Sequence, residues 1–216
     1  MSKLGSNAVR ASGEDRTQTK AELTRGRILE AAAKVFRTRG FVGSRLTDIA
    51  AEAGLQAGSL YYHFASREAL VEAVMWAGQL RTEAQVRRCL GALGPAATPM
   101  QRLHTAVEAH LLAVLSSTDA NSASIKMIGQ VPSDIRERLL VGQRAYGDLW
   151  RGLLTDAQDA GDIRDDVNLS IVRMAIIGAL NWSVEWYHAD KGHPEKIAAD
   201  MAAVMIDGLR PRRPAC

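Results

Sequence analysis

Apolar residues recur at helical spacing along most of the chain, and no segment alternates apolar and polar residues as a half-buried strand would. Ile28, Ala32, Val35 and Phe36 form the first such stripe. Gly40 follows it, and glycine is common just after a helix because it tolerates a left-handed backbone. The pattern therefore predicts an all-α protein whose first helix ends near Gly40.

Two short helices are predicted directly after this first helix. Ser44 is the better of two N-cap candidates for a second helix, and Gly54 ends that helix. A short connection containing glycine leads to a third helix at residues 59–64. Short helices joined by a turn of this kind are typical of a helix-turn-helix motif, here at residues 44–64.

The rest of the chain predicts a second helical part. A fourth helix begins at Arg67, with Ser66 as its N-cap, and extends to about Arg88 before a breaker region at 91–99. Further helices are predicted at residues 100–116, 121–129, 133–160, 167–188 and 194–209. The expected organisation is a disordered basic arm (1–22), a helix-turn-helix domain (23–70), a second domain (71–210) and a short tail (211–216).

Positive charge is concentrated in the first third of the chain. Residues 1–70 contain 11 Lys and Arg against 7 Asp and Glu, whereas the remaining residues contain 16 against 17. A basic module attached to a nearly neutral partner domain is expected of a protein that binds nucleic acid. An ordinary solvated surface would also account for this distribution.

Composition excludes several classes of protein. Aromatic residues make up only 5% of the chain, which disfavours a β-sandwich or barrel, and no apolar run reaches the roughly 18 residues of a membrane span. No signal peptide is evident, and Cys89 and Cys216 lack the spacing of a metal or redox site. Catalytic motifs are also absent from the sequence. We therefore expect a cytoplasmic protein that is not an enzyme and uses no metal or cofactor.

Three segments carry a resemblance to a known family. Residues 46–55 (LTDIAAEAGL), 58–64 (GSLYYHF) and 66–70 (SREAL) closely resemble the DNA-binding domain of the tetracycline-repressor (TetR) family. The resemblance implies a transcriptional regulator that binds double-stranded DNA as a homodimer, with a recognition helix at residues 57–64. Repression is the usual activity in that family, and the sequence itself does not distinguish a repressor from an activator.

A helix in the major groove places its N-terminal residues on base edges, while flanking groups hold phosphates. Tyr61 and His63 are placed by resemblance at phosphates, and Leu60 and Phe64 are expected in the core. Ala57 departs from the family, which often has a lysine or another polar residue there. The complete set of candidate DNA-binding residues is Arg45, Thr47, Gln56, Ala57, Gly58, Ser59, Tyr61, Tyr62, His63 and Arg67.

The resemblance implies that the helices at 133–160 and 167–188 form a four-helix dimer interface. A helix-turn-helix protein needs two half-sites about one helical turn apart, and this requires a dimer. Burial within one subunit would also explain the apolar stripe on the second of these helices. That stripe consists of Ile171, Met174, Ile177, Gly178 and Trp182.

Apolar and polar side chains in the second domain suit a mostly apolar pocket for a small effector. For any single one of them a place in the core is the favoured interpretation, above all for Met127 and Trp150. The candidate effector-binding residues are Trp76, Gln79, His104, His110, Met127, Trp150, Asn181 and Trp186, with Ile125 and Tyr187 in the same mixture.

The segments 178–187 and 194–198 resemble the C-terminal helices of TetR regulators of fatty-acid and sterol breakdown, several of which respond to acyl-CoA thioesters. An acyl-CoA would need cations for its phosphates, and the candidates are Arg81, Arg87, Arg88 and Arg102. The sequence therefore predicts a repressor that an apolar effector, such as an acyl-CoA, releases from a palindromic operator. The alternative is a constitutive DNA-binding dimer without an effector.

Overall fold

The computed structural model describes residues 19–115, 119–188, 190 and 192–211. Within these ranges the secondary structure is helical and contains no strand, which confirms the all-α prediction. The helices are α1 (Lys20–Arg39), α2 (Leu46–Glu52), α3 (Ala57–His63), α4 (Arg67–Ala92), α5 (Pro99–Leu115), α6 (Asp119–Met127), α7 (Ser133–Gly142), α8 (Arg144–Asp159), α9 (Leu169–Trp186) and α10 (Pro194–Leu209). None of the described helices is long and apolar enough to cross a membrane.

A capping box starts α1 earlier than the sequence pattern suggested. The backbone N–H of Glu22 donates to Thr19 Oγ1 at 3.2 Å, and the backbone N–H of Thr19 donates to Glu22 Oε2 at 2.7 Å. These two bonds satisfy donors that a helix start otherwise leaves open. Residues 20–22 therefore belong to α1 and not to a disordered arm; the arm's residues 1–18 lie outside the described part of the chain, as do residues 212–216 of the tail.

The predicted helix ends near the motif are partly confirmed. Gly40 caps α1 at φ 66°, and Ser66 caps α4 by accepting the backbone N–H of Ala69 at 3.1 Å. Ser44 is not the N-cap of α2, because its hydroxyl donates back to the carbonyl of Gly40 at 2.5 Å. Arg45 occupies the cap position instead and makes no side-chain capping bond.

Two apolar cores hold the helices together, and the first crosses the predicted domain boundary at residue 70. Phe36 and Leu60 of the motif belong to the same buried cluster as Met75 of α4, Met127 of α6 and Leu139 of α7. The second core joins the later part of α4 to α5, α8, α9 and α10. Helices α4 and α6 therefore pack directly against the motif.

Glycine allows α4 and α6 to pack closely. A Cβ atom at Gly78 of α4 would lie 2.6 Å from the carbonyl oxygen of Ala120 and 2.5 Å from Ser124 Oγ, both on α6. Ser124 Oγ also lies 3.1 Å from the carbonyl oxygen of Met75, to which it can donate. This contact brings α6 to the wall of the second domain that faces α4.

The long helix predicted at 133–160 is instead two helices that meet at Gln143. The helix ends at Gly142, where a Cβ atom would overlap the indole ring of Trp76 on α4. Glycine also lowers helix stability, because it loses more backbone freedom on folding than alanine. The close approach of Trp76 therefore requires a glycine where the chain changes direction.

Candidate DNA-binding surface and effector cavity

Helix α3 has a buried face and a solvated aromatic face. Leu60 is 1% exposed and Phe64, just after the helix, is 7% exposed, which confirms both as core residues. Tyr62 is 84% exposed and Tyr61 is 60% exposed, and the only ring contact of Tyr62 among the described residues is an edge-on approach to His63 at 5.3 Å. Two large apolar rings are thus left in solvent next to each other.

Most of the other predicted DNA-binding residues extend this solvated face. Gln56 occupies the N-cap of α3 without a side-chain capping bond, so its amide is available to a ligand. Ala57 is half-buried and packs against the first core, which leaves it little contact surface. The exposed members are Arg45, Thr47, Gln56, Gly58 and Ser59, together with both tyrosines.

Arg67 is placed differently from the prediction. Its guanidinium carbon lies 4.1 Å from the centroid of the Phe41 ring, and its Nε and Nη2 atoms are buried without a hydrogen-bond partner in the described structure. This cation–π contact holds the turn after α1 against the start of α4. A phosphate would have to reach the remaining nitrogen of the group.

Several cations of the helix-turn-helix domain (23–70) are already engaged within the chain. Arg27 Nη2 donates to the carbonyl of Ala53 at 2.6 Å, and the three remaining cases are ion pairs. These ion pairs are Lys34–Glu52 at 2.6 Å, Arg37–Asp119 at 2.7 Å and Arg39–Asp48 at 2.5 Å. Arg45 is exposed and has no ion pair within the described ranges, so its charge is available to a phosphate.

A half-open cavity of about 810 Å³ lies between α4, α5, α6, α7, α8 and α9. Gln79 of α4, His110 of α5, Ile125 of α6 and Asn181 of α9 line it, as the sequence predicted. Apolar groups form most of the remaining wall, among them Met75, Ile128, Leu139, Met174 and Ile177. A volume of this size accommodates a small organic ligand.

The other predicted effector residues do not line this cavity. Trp76 packs against Gly142, and Met127 is fully buried in the first core. His104 lies on the surface beside Glu108, and Trp186 is exposed on α9. Trp150 is fully buried, and its ring makes an edge-on contact with the His110 ring, with ring centroids 5.8 Å apart. Tyr187 donates to the carbonyl of Gly192 at 3.3 Å.

The pKa values of two residues that line the cavity, His110 and Tyr146, are strongly perturbed. His110 Nδ1 lies 2.8 Å from the Tyr146 hydroxyl, and His110 Nε2 lies 3.1 Å from Asn181 Oδ1. Burial lowers the pKa of His110 to about 4, against a smaller upward effect of the bond to Asn181. Burial also raises the pKa of Tyr146. Both groups are therefore neutral near pH 7.

The cations at this cavity are not the predicted ones. Arg87 is paired with Glu83 at 2.7 Å, Arg88 donates to Gln85, and neither Arg81 nor Arg102 lines the cavity. The lining cations are Arg144, Arg151 and Arg173. Sequence reasoning missed them because their convergence depends on the break between α7 and α8. Asp148, which pairs with Arg151, is the lining carboxylate, so the rim is net positive.

Helix α9 presents an unpaired apolar stripe. Ile171, Met174 and Trp182 are 61–68% exposed, so burial within one subunit does not explain these three residues. Ile177, in contrast, is half-buried and packs against the second core. Gly178 of the same stripe is exposed and has no heavy atom within 4 Å of its would-be Cβ.

These features define a helix-turn-helix DNA-binding protein with a helical second domain. A family model described as "Bacterial regulatory proteins, tetR family" matches residues 28–74, and one described as "Tetracyclin repressor-like, C-terminal domain" matches residues 96–209. The chain belongs to the TetR family of DNA-binding transcriptional regulators. Its members bind operator DNA and dimerise, and they are regulators and not enzymes.

Similar proteins cover nearly the whole chain. The transcriptional repressor KstR2 of Mycobacterium tuberculosis is 27% identical over 207 residues, which span 90% of this chain and 97% of the repressor. The transcriptional regulator UidR of Escherichia coli K12 is 27% identical over 76% of this chain and 81% of its own length. The structure of AibR in complex with isovaleryl coenzyme A and operator DNA has a TM-score of 0.74 at 24% identity, over 87% of this chain and 98% of AibR.

Proposed function

We propose that the chain is a homodimeric repressor that an apolar, anionic effector releases from a palindromic operator. The observation that carries the proposal is the shared packing of α4 and α6. Both helices line the effector cavity, and both belong to the core that holds the DNA-binding motif. Occupancy of the cavity can therefore alter the position of the motif.

Two further contacts join α6, and the loop after it, to the helix-turn-helix domain. Asp119 of α6 pairs with Arg37 of α1 at 2.7 Å, and the Gln130 side chain accepts the backbone N–H of Phe41 at 3.0 Å. Helix α4 is thus one of two helices through which the cavity can act on the helix-turn-helix domain, since α6 makes its own contacts with that domain. An effector that binds better to the arrangement with separated recognition helices lowers DNA affinity by the same factor by which DNA lowers effector affinity.

An acyl-CoA thioester is the effector class that we propose. The apolar wall suits an acyl chain, and the rim cations Arg144, Arg151 and Arg173 suit phosphates, which arginine binds well. The likeness to KstR2 and to the AibR complex with isovaleryl coenzyme A is in keeping with this class. The dimer would form through the exposed stripe of α9 together with α8.

The test starts from selection of duplexes out of a random DNA library by the purified protein. We expect an inverted repeat, and fluorescence anisotropy on that duplex then follows release by octanoyl-CoA, isovaleryl-CoA and free coenzyme A. An acyl-CoA present at 100 times its dissociation constant should also stabilise the protein by about 2.7 kcal/mol. Arg173→Gln should weaken the thioesters more than Arg102→Gln, which changes a cation outside the cavity.

A constitutive DNA-binding dimer is the second candidate. It is favoured if the selected duplex contains an inverted repeat but neither an acyl-CoA nor a free acid changes the anisotropy or the unfolding temperature. Failure to enrich any sequence would contradict operator binding itself.

A further inference from the structure

Two side-chain amides line the effector cavity from different helices, Asn181 on α9 and Gln79 on α4. Neither amide nitrogen makes a hydrogen bond within the described part of the chain, although the oxygen of each does. A neighbouring side chain bonds to the oxygen of each amide, which leaves the nitrogen of each amide for a ligand.

The orientation of Asn181 determines the tautomer of the neutral His110. A neutral imidazole has one N–H donor and one acceptor nitrogen. Nε2 is 3.1 Å from Asn181 Oδ1, a carbonyl oxygen that can only accept, so Nε2 carries the proton. Nδ1 is then the acceptor and receives the hydroxyl proton of Tyr146 at 2.8 Å. The chain of bonds leaves the Asn181 Nδ2 hydrogens for a ligand.

Gln79 is fixed at the break between α7 and α8. Gln143 Nε2 donates to Gln79 Oε1 at 3.1 Å, which occupies the oxygen of Gln79. Gln79 Nε2 is buried and has no hydrogen-bond partner among the described residues. A buried donor left unpaired destabilises the protein, and an acceptor atom of a ligand would satisfy it.

We propose that Gln79 and Asn181 are specificity-determining residues that donate hydrogen bonds to a carbonyl-type oxygen of the effector. The ligand class is an apolar molecule with a ketone, ester, thioester or carboxylate oxygen inside the cavity, and it excludes ligands that place an ammonium group there. This inference rests on the proposed function, because it assumes that an effector occupies this cavity.

The test uses two probes with the same carbon skeleton, methyl hexyl ketone and sec-octylamine, in isothermal titration calorimetry at pH 7.5. The wild-type protein should bind the ketone more tightly than the amine. Asn181→Asp keeps an oxygen for His110 and replaces the inward N–H groups with an acceptor. It should weaken the ketone about fivefold to tenfold, which is the range of one neutral hydrogen bond, and strengthen the amine.

Gln79→Glu tests the other amide in the same way and replaces Asn181→Asp if that variant does not fold. Ile128→Leu is the control, since it changes an apolar residue of the cavity without changing its polar groups. It should leave the ratio of ketone to amine affinity unchanged.

The outcomes separate this inference from the proposal on which it rests. Equal affinities for both probes, or an unchanged preference in both amide variants, would overturn the donor assignment while the cavity remained a ligand site. Absence of binding by either probe and by every acyl-CoA tested would contradict the effector cavity and the inference together.

Discussion

His110 lies among α5, α8 and α9, and its environment makes stability depend on pH. The facing groups are the Tyr146 hydroxyl, the Asn181 amide and the Trp150 ring; none of these three carries a charge near pH 7. Its pKa is lowered in the folded state from an ordinary 6.5 to about 4. Between these values the unfolded chain binds a proton that the folded chain does not.

Stability from this group is therefore complete above pH 6.5 and is lost as the pH falls towards 4, at up to about 1.4 kcal/mol per pH unit. Urea unfolding at pH 7 and pH 5 should show a smaller pH effect in His110→Gln than in the wild type. His104→Gln, which changes a surface histidine, should show the same change in unfolding free energy between pH 7 and pH 5 as the wild type. An equal change in all three proteins would contradict a buried neutral His110.

Gly142 is a residue whose side-chain volume matters, because the Trp76 ring occupies the place of its missing Cβ. Gly142→Ala forces Trp76 or the backbone to move, and overpacking of this kind costs about 1–3 kcal/mol. Gly26→Ala in α1 is the control, since nothing lies within 4 Å of its would-be Cβ. That control should gain up to about 1 kcal/mol in urea unfolding. A gain for Gly142→Ala as well would mean that Trp76 does not fill that site.

At the scale of the element, α3 separates stability from DNA binding by its two faces. Tyr62→Ala should change the free energy of unfolding by less than about 0.5 kcal/mol, because the ring is largely in solvent. The same variant should lose affinity for the selected duplex. Leu60→Ala is expected to cost about 2–5 kcal/mol, as a fully buried leucine does. Circular dichroism and anisotropy measure the two effects, and unchanged DNA affinity in Tyr62→Ala would remove α3 from the interface.

The helices also show which structural features the sequence pattern can predict and which it cannot. Helices α2, α3 and α4 follow from local signals, namely the apolar stripe, the cap at Ser66 and the glycine at residue 54. The break between α7 and α8 depends on Trp76, which is distant in sequence. The amphipathic pattern is continuous from 133 to 160, so it did not predict the break. The rim arginines were missed for the same reason. Gln79, His110 and Asn181 were found because each is a polar residue within a short, otherwise apolar run of the sequence.

At the scale of the whole molecule, the proposed function implies that α6 affects how tightly effector binding and DNA binding are coupled. Gly78→Ala would push α6 away from α4, since its Cβ would lie 2.6 Å from the Ala120 carbonyl oxygen. We expect this variant to bind the selected duplex with altered affinity and to lose part of its response to acyl-CoA, measured by anisotropy. Gly91→Ala, on the open end of α4, should respond as the wild type does. A full response in Gly78→Ala would mean that α4 alone transmits effector binding to the helix-turn-helix domain.

If the exposed stripe of α9 forms the proposed dimer interface, it brings two helix-turn-helix motifs together on one operator. Trp182→Arg places a charge in an apolar patch that is solvated in one subunit, so the unfolding of an isolated subunit should change little while dimer affinity falls at least about thirtyfold. The selected duplex should then bind weakly, because each monomer contacts one half-site. Val204→Arg on α10, an equally exposed apolar position, is the control. Analytical ultracentrifugation measures both variants; dissociation by Val204→Arg alone would place the interface on α10 and contradict the assignment to α9.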